Sequence, residues 1–221
     1  MEATQASPLR LYTTLKSGPG RKALAVAREL DLELEVEDVD VYTGEGQRSA
    51  YRALNPFGKI PTLVDRDFVL WESNAIAVYL AEQYGDYKLS SRDPQKRADL
   101  LRWMFWETAH FQPAFGPVLT EFVSTALTRG RAAADPDRVI WRQAPLWPLC
   151  EFLNEHLAEH RYVSGAERTV ADFAVAGMFT YARAARFPFS ALAGIQRWYG
   201  ELASLPAWQT TASPLWDMRL E

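Results

Sequence analysis

The chain has 221 residues, of which 48% are hydrophobic and 24% charged, and a formal net charge of −4. This balance excludes a disordered, collagen-like or coiled-coil chain, and the acidic sign argues against a nucleic-acid partner. The single cysteine, Cys150, excludes an internal disulfide, a CxxC redox pair and a thiolate zinc cage.

The elements follow in chain order. Leu9-Arg10-Leu11-Tyr12-Thr13 alternates apolar and polar side chains, the period of a short strand. Apolar residues at 24, 27 and 30 predict a helix, with Pro19 in its first turn. Alternation from Leu34 to Val41 predicts a second strand, and Ser49 to Leu54 a short helix broken by Asn55-Pro56. Thr62-Leu63-Val64 and Phe68-Val69-Leu70-Trp71 flank Asp65-Arg66-Asp67, a hairpin signal. Ser73 then reads as the N-cap of a helix running to Tyr84, with Gly85 past its end. The order βαβαββα predicts a small mixed four-stranded sheet, because the first strand–helix–strand unit returns parallel.

Polar residues 87–93 read as a linker ending in Asp93-Pro94, and no strand is expected beyond it. One long helix is predicted from Gln95 to Phe115, and another from Asp135-Pro136 to about His160. A third is predicted from the capping-box-like Thr169-Val170-Ala171-Asp172 to about Arg186. Two shorter ones follow, near Ser190–Ser204 and from Pro206. The expected fold class is therefore α/β plus all-α: an α/β domain over 1–86 and a helical domain over 94–221. No apolar run approaches the roughly 18 residues of a membrane-spanning helix. The start Met1-Glu2-Ala3-Thr4-Gln5 lacks the basic and apolar stretches of a secretory signal, so a cytoplasmic protein with no membrane partner is expected.

Two constellations carry candidate chemistry. The segment Lys16-Ser17-Gly18-Pro19-Gly20-Arg21-Lys22-Ala23 opens the first helix, whose unpaired N–H groups and dipole favour an anion beside the Ser17 hydroxyl. Gly18-x-Gly20-x-x-Ala23 also matches a dinucleotide fingerprint, with Asp38 or Asp40 about 20 residues on. The hairpin and helices that follow supply only half of such a platform, and Pro19 removes an N–H, so this reading is disfavoured. The second constellation is Asn55-Pro56-Phe57-Gly58-Lys59-Ile60-Pro61-Thr62-Leu63 with Trp71-Glu72-Ser73-Asn74. A cis bond before Pro61 would turn the Ile60 backbone outward to pair with a peptide-like ligand. Ser73 suits a carboxylate and Glu72 an ammonium, so together they fit an α-amino acid end; the bland reading is a cap and a solvated acid.

In their order and spacing, Ser17 with Gly20-Arg21-Lys22, the 55–63 segment, Glu72-Ser73 and Thr169–Asp172 make the chain resemble a cytosolic glutathione transferase. The resemblance is to serine-type, bacterial-like members and covers essentially all 221 residues. It implies a thioredoxin-like N-terminal domain, a helical C-terminal domain and a homodimer. It also implies a role conjugating glutathione, the co-substrate, to small apolar electrophiles, as in detoxification. Carried over residue by residue, Glu72 and Ser73 would hold the γ-glutamyl end, Ile60 the cysteinyl backbone and Lys59 the glycine carboxylate. Gly46 falls where related sequences carry Gln or His, which makes its neighbour Gln47 the candidate there. Ser17 is the expected catalytic hydroxyl. It is too weak an acid to act as a base and would instead donate a hydrogen bond that favours the thiolate. Capping the helix would draw on the same oxygen. Tyr12 is the alternative hydroxyl.

Seven of the eight tryptophans lie beyond residue 100, so the helical half must fill a core and offer an apolar cleft. Trp106 and His110, one turn apart, are expected to share a face in that electrophile site. His156-Leu157-Ala158-Glu159-His160 matches a zinc-peptidase pattern but lacks a third ligand, and no metal is expected. Cys150 reads as a buried small hydrophobe, so the reactive sulfur would come from the ligand. Two further readings stay open: a glutathione-dependent disulfide reductase or peroxidase on the same fold, and a non-catalytic binding protein. Isomerisation of an activated alkene would also suit a serine-type site.

Overall fold

A computed structural model describes residues 9–116, 144–182 and 187–213. The strands are β1 (Leu9–Thr13), β2 (Leu34–Asp38), β3 (Thr62–Asp65) and β4 (Phe68–Trp71), in the order β2-β1-β3-β4. β1 runs parallel to β2, pairing Leu11 with Val36, and antiparallel to β3, pairing Leu11 with Leu63. β3 and β4 form the expected hairpin, with Arg66 at φ 55° in its turn. β2 lies at the edge, and its Val36 remains 43% exposed despite the alternation that marks the strand.

Helices α1 (Gly18–Glu29) and α3 (Ser73–Gln83) pack on one another and bury the inward face of the sheet; α2 (Ser49–Arg52) is a single turn. The helical half begins at α4 (Pro94–Trp106), whose N-cap Asp93 accepts from the Gln95 and Lys96 N–H groups. A π-helical turn over Glu107–Phe111 follows, then the short α5 (Gln112–Ala114). Beyond these lie α6 (Trp147–Glu159), α7 (Val170–Ala176), a 3-10 turn (Gly177–Tyr181), α8 (Ala193–Ala203) and α9 (Pro206–Gln209).

The unbroken helix expected over 95–115 is thus interrupted. Pro113 has no N–H to give and its ring crowds the preceding turn, so the chain widens just before it. The helix expected to start at Asp135 lies at its outset outside the described residues, as does the end expected near Arg186. Thr169 and Asp172 make the expected cap of α7. The Thr169 N–H donates to Asp172 Oδ2 at 2.8 Å and the Ala171 N–H to Thr169 Oγ1. Asp172 is wholly buried, and its other oxygen accepts from the Val163 N–H and Trp198 Nε1. Burial pushes its carboxyl up to about 6 against these three N–H donors.

The buried apolar residues of both halves form one continuous cluster, from Leu9 and Leu11 through Trp103 to Trp208. A polar knot lies inside it. Lys22 Nζ on α1 meets Glu107 Oε2 at 3.0 Å, with the two side chains 1% and 0% exposed. Asn74 on α3 accepts from Lys22 Nζ at 2.8 Å and donates to the same Glu107 oxygen, so three elements meet at one carboxylate. Removing one partner leaves the other charge buried and uncompensated. Lys22→Met should therefore lower unfolding free energy by about 3–5 kcal/mol in urea titration, and Lys22→Met with Glu107→Leu by less. Additive losses would show that the two groups do not form a pair.

Candidate functional site

The site begins at the end of β1. Ser17 takes the N-cap position of α1 with extended backbone, and its Oγ accepts from the Gly20 N–H at 3.1 Å. That bond uses a lone pair and leaves the Ser17 proton to donate elsewhere, so capping and donation do not compete. Ser17 is 5% exposed, two residues before Pro19, and Pro19 lines the nearby cavity. The two glycines have packing reasons. A Cβ on Gly20 would fall 2.0 Å from Thr13 Oγ1, and one on Gly18 2.5 Å from the Gly177 carbonyl oxygen. The Gly18 and Gly20 N–H groups are spent on Tyr181 and Ser17. A dinucleotide cradle would need them free, and the fingerprint match is explained by this crowding.

The Asn55–Thr62 segment folds back on itself. Asn55 Nδ2 donates to the Lys59 carbonyl at 2.8 Å, the Phe57 N–H donates to Asn55 Oδ1, and the Tyr51 hydroxyl reaches the Lys59 carbonyl at 2.6 Å. The Ile60–Pro61 bond is cis, as the sequence led one to expect. Among the described residues no hydrogen bond is assigned to the Ile60 N–H or carbonyl, and Ile60 lines the cavity. Its main chain therefore offers one donor and one acceptor to a peptide-like ligand.

Glu72 and Ser73 stand where β4 turns into α3. The structure corrects the expected cap: Glu72 holds the N-cap position without a capping side chain, and Ser73 is the first helical residue. Glu72 has φ 75°, a region non-glycine residues rarely adopt and one associated with functional sites. Ser73 is thus free of capping duty, at a helix N-terminus whose N–H groups favour a carboxylate.

Ile60, Pro61, Glu72, Ser73, Lys59 and Pro19 come together around a cavity of about 400 Å³, closed on the helical side by Thr108, Gln112 and Pro113. Phe57 and Trp71, edge to face at 5.2 Å, also border it. Three expected residues lie elsewhere. Gln47 is exposed, with its side-chain amide against Gly58, and is not among the residues bordering the cavity. His110 is exposed. Trp106 stacks on Phe111 at 4.9 Å and meets Phe152 of α6 at a tilt, 5.8 Å between ring centres. The cause is the π turn, which places residue i beside i+5 rather than i+4. It turns Thr108 and Gln112 toward the cavity instead of Trp106 and His110. Pro113 was the signal for this shift in register. The alternative hydroxyl, that of Tyr12, accepts from Arg10 Nη1 at 3.4 Å, and its ring lies 5.9 Å from that of Tyr51.

The remaining singled-out groups have partners or burial of their own. Lys16 Nζ at 2.6 Å from Asp40 holds that carboxyl below the usual carboxylate range. Arg21 is buried, its guanidinium 4.3 Å over the Trp208 ring and donating to the Trp208 carbonyl. His156 Nε2 lies 3.0 Å from the Val163 carbonyl and its ring stacks on His160, which accounts for the histidines of the zinc-like pattern. Cys150 is fully buried, with its thiol pushed up to about 12 by desolvation.

The family description "Glutathione S-transferase, N-terminal domain" matches residues 7–82, and "Glutathione S-transferase, C-terminal domain" matches 140–201. Glutathione S-transferase 3 of Zea mays is 32% identical over 213 residues, covering 95% of each chain. The theta class glutathione S-transferase of Xanthomonas axonopodis pv. citri, solved with glutathione bound, is 33% identical. It covers 95% of this chain and all of its own, with a TM-score of 0.78. A delta-class glutathione transferase of Nilaparvata lugens is 28% identical over 95% of each chain, with a TM-score of 0.80.

The crowding at the start of α1 can be checked directly. Gly20→Ala should lower unfolding free energy by about 3 kcal/mol, beyond what added helix propensity returns. Gly200→Ala on α8, where a Cβ meets nothing within 4 Å, should raise it by about 0.5–1 kcal/mol. Equal effects in urea titration would contradict the packing explanation.

Proposed function

The chain belongs to the glutathione S-transferase family and is a glutathione transferase, and from that premise we propose how its own residues divide the work. Ser73, with the N-terminal amides of α3, receives the γ-glutamyl carboxylate, and Glu72 receives the neighbouring ammonium. Ile60 pairs its main chain with the cysteinyl residue, and Lys59 meets the glycine carboxylate. The thiol faces the start of α1. The observation that carries this reading is the Ser17 hydroxyl, whose lone pair is taken by the Gly20 N–H while its proton remains to be donated.

A free thiol ionises near pH 8.5, so little thiolate exists at neutral pH. Lowering that value by about 2 units requires about 2.7 kcal/mol, within reach of one charge-assisted hydrogen bond plus the helix dipole. The thiol proton passes to solvent, and the thiolate attacks an electrophilic carbon. With an aryl halide, the carbon–sulfur bond forms as halide leaves. The apolar electrophile rests against Thr108, Gln112 and Pro113, which take the place first assigned to Trp106 and His110. No cysteine of the chain enters the scheme, since Cys150 is buried away from the cavity.

The reading extends to a homodimer. An apolar groove of about 640 Å³ runs between β4, α3 and α4, walled by Phe68, Leu70, Val78, Leu101, Met104 and Phe105. Phe105 is 70% exposed there, which suits a surface covered by a second copy. A cytoplasmic, detoxifying role, and a domain boundary within 87–93, belong to the same proposal.

Ser17→Ala should raise the thiol pKa of bound glutathione by about 1–2 units, read from thiolate absorbance against pH. Glutathione affinity should change little. An unmoved pKa would remove Ser17 from the mechanism. Phe105→Glu should yield monomers in light scattering at concentrations where the unsubstituted protein is dimeric, and a persistent dimer would place the interface elsewhere.

A further inference from the structure

Tyr181 ends the 3-10 turn Gly177–Tyr181 in the helical half and is 3% exposed. Its hydroxyl lies between the two neighbours of Ser17. The Gly18 N–H donates to it at 2.8 Å, and it donates to the Lys16 carbonyl at 3.3 Å. Gly18 N–H is the first amide of α1, a group with no helical partner. A phenol from more than 160 residues away supplies one. The approach is possible because Gly18 and Gly177 meet backbone to backbone, where a side chain on Gly18 would collide with the Gly177 carbonyl. The main chain is therefore held on each side of Ser17, at residues 16 and 18, by one hydroxyl.

The geometry points to Tyr181 as a positioning residue for the reaction: it fixes the direction in which Ser17 presents its proton to the thiolate. This inference rests on the assignment of Ser17 above. Burial raises the Tyr181 phenol well above the usual tyrosine range, so its donation to Lys16 persists across the pH range in which the thiol titrates.

The test compares Ser17→Ala, Tyr181→Phe and the double variant, reading the thiol pKa of bound glutathione, kcat and KM. Tyr181→Phe should raise the thiol pKa by about 1 unit and lower kcat about tenfold at pH 6.5, the equivalent of one lost hydrogen bond. KM for glutathione should stay within about twofold, since the γ-glutamyl contacts are remote from residues 16–18. The double variant should match Ser17→Ala alone, because Tyr181 acts through Ser17. If Ser17→Ala raises the pKa but Tyr181→Phe does not, or if the two effects add, the inference is overturned while the Ser17 assignment stands. If Ser17→Ala leaves the pKa unmoved, the Ser17 assignment itself falls, and this inference with it. Should Tyr181→Phe fail to fold, p-aminophenylalanine at 181 keeps the donor to Lys16 but accepts poorly from Gly18. A smaller rise in thiol pKa is then expected, and none overturns the inference.

Discussion

A lysine and a glutamate buried together decide how the two halves of this chain meet. Lys22 projects from the second turn of α1 into an environment where an unpaired charge is costly. Glu107 answers it from the π turn of the helical half. Asn74 closes the knot from α3, one residue after Ser73, and Thr108 joins through its hydroxyl. Three of these four residues are therefore next to, or part of, the cavity wall. The sheet domain and the helical domain are fixed to one another at the point where ligand chemistry would occur, and the cavity inherits its shape from that constraint.

The same economy recurs at the start of α1. The four leading amides of a helix need partners, and here the partners carry function. The Gly20 N–H is met by the Ser17 hydroxyl and the Gly18 N–H by Tyr181. Capping by Ser17 sets the orientation of its oxygen, and the remaining proton has one direction left in which to be useful. Glu72, held at φ 75°, is a second instance: an uncommon backbone conformation in which strain is accepted at a site rather than in the core.

The elements of the sheet half were legible because their signals are local. Alternation marked β1, turn residues marked the hairpin, and Asn55-Pro56 and Ile60-Pro61 marked the cavity loop. Glu72 and Ser73 were legible as a pair of opposite hydrogen-bonding character at a helix start. What the local pattern did not carry was register. Trp106 and His110 share a face only if the helix keeps 3.6 residues per turn, and the π turn before Pro113 removes that premise. The position of Gln47 was not legible, because the contact of Gly46 with Gly58 lies between residues a dozen apart in sequence. Tyr181 carried no local signal, since its partners lie at the other end of the chain. The glycines of the first turn were noticed for flexibility, but their role is close approach: Gly20 to Thr13 and Gly18 to Gly177.

The central claim is that Ser17 donates a hydrogen bond to the sulfur of glutathione held between α1, the cis-Pro61 loop and the start of α3. A crystal structure with glutathione bound tests it most directly. The account predicts the sulfur within about 3.5 Å of Ser17 Oγ, with the γ-glutamyl carboxylate at Ser73. A sulfur seated beside the Tyr12 hydroxyl, or beyond hydrogen-bonding reach of Ser17, would contradict it.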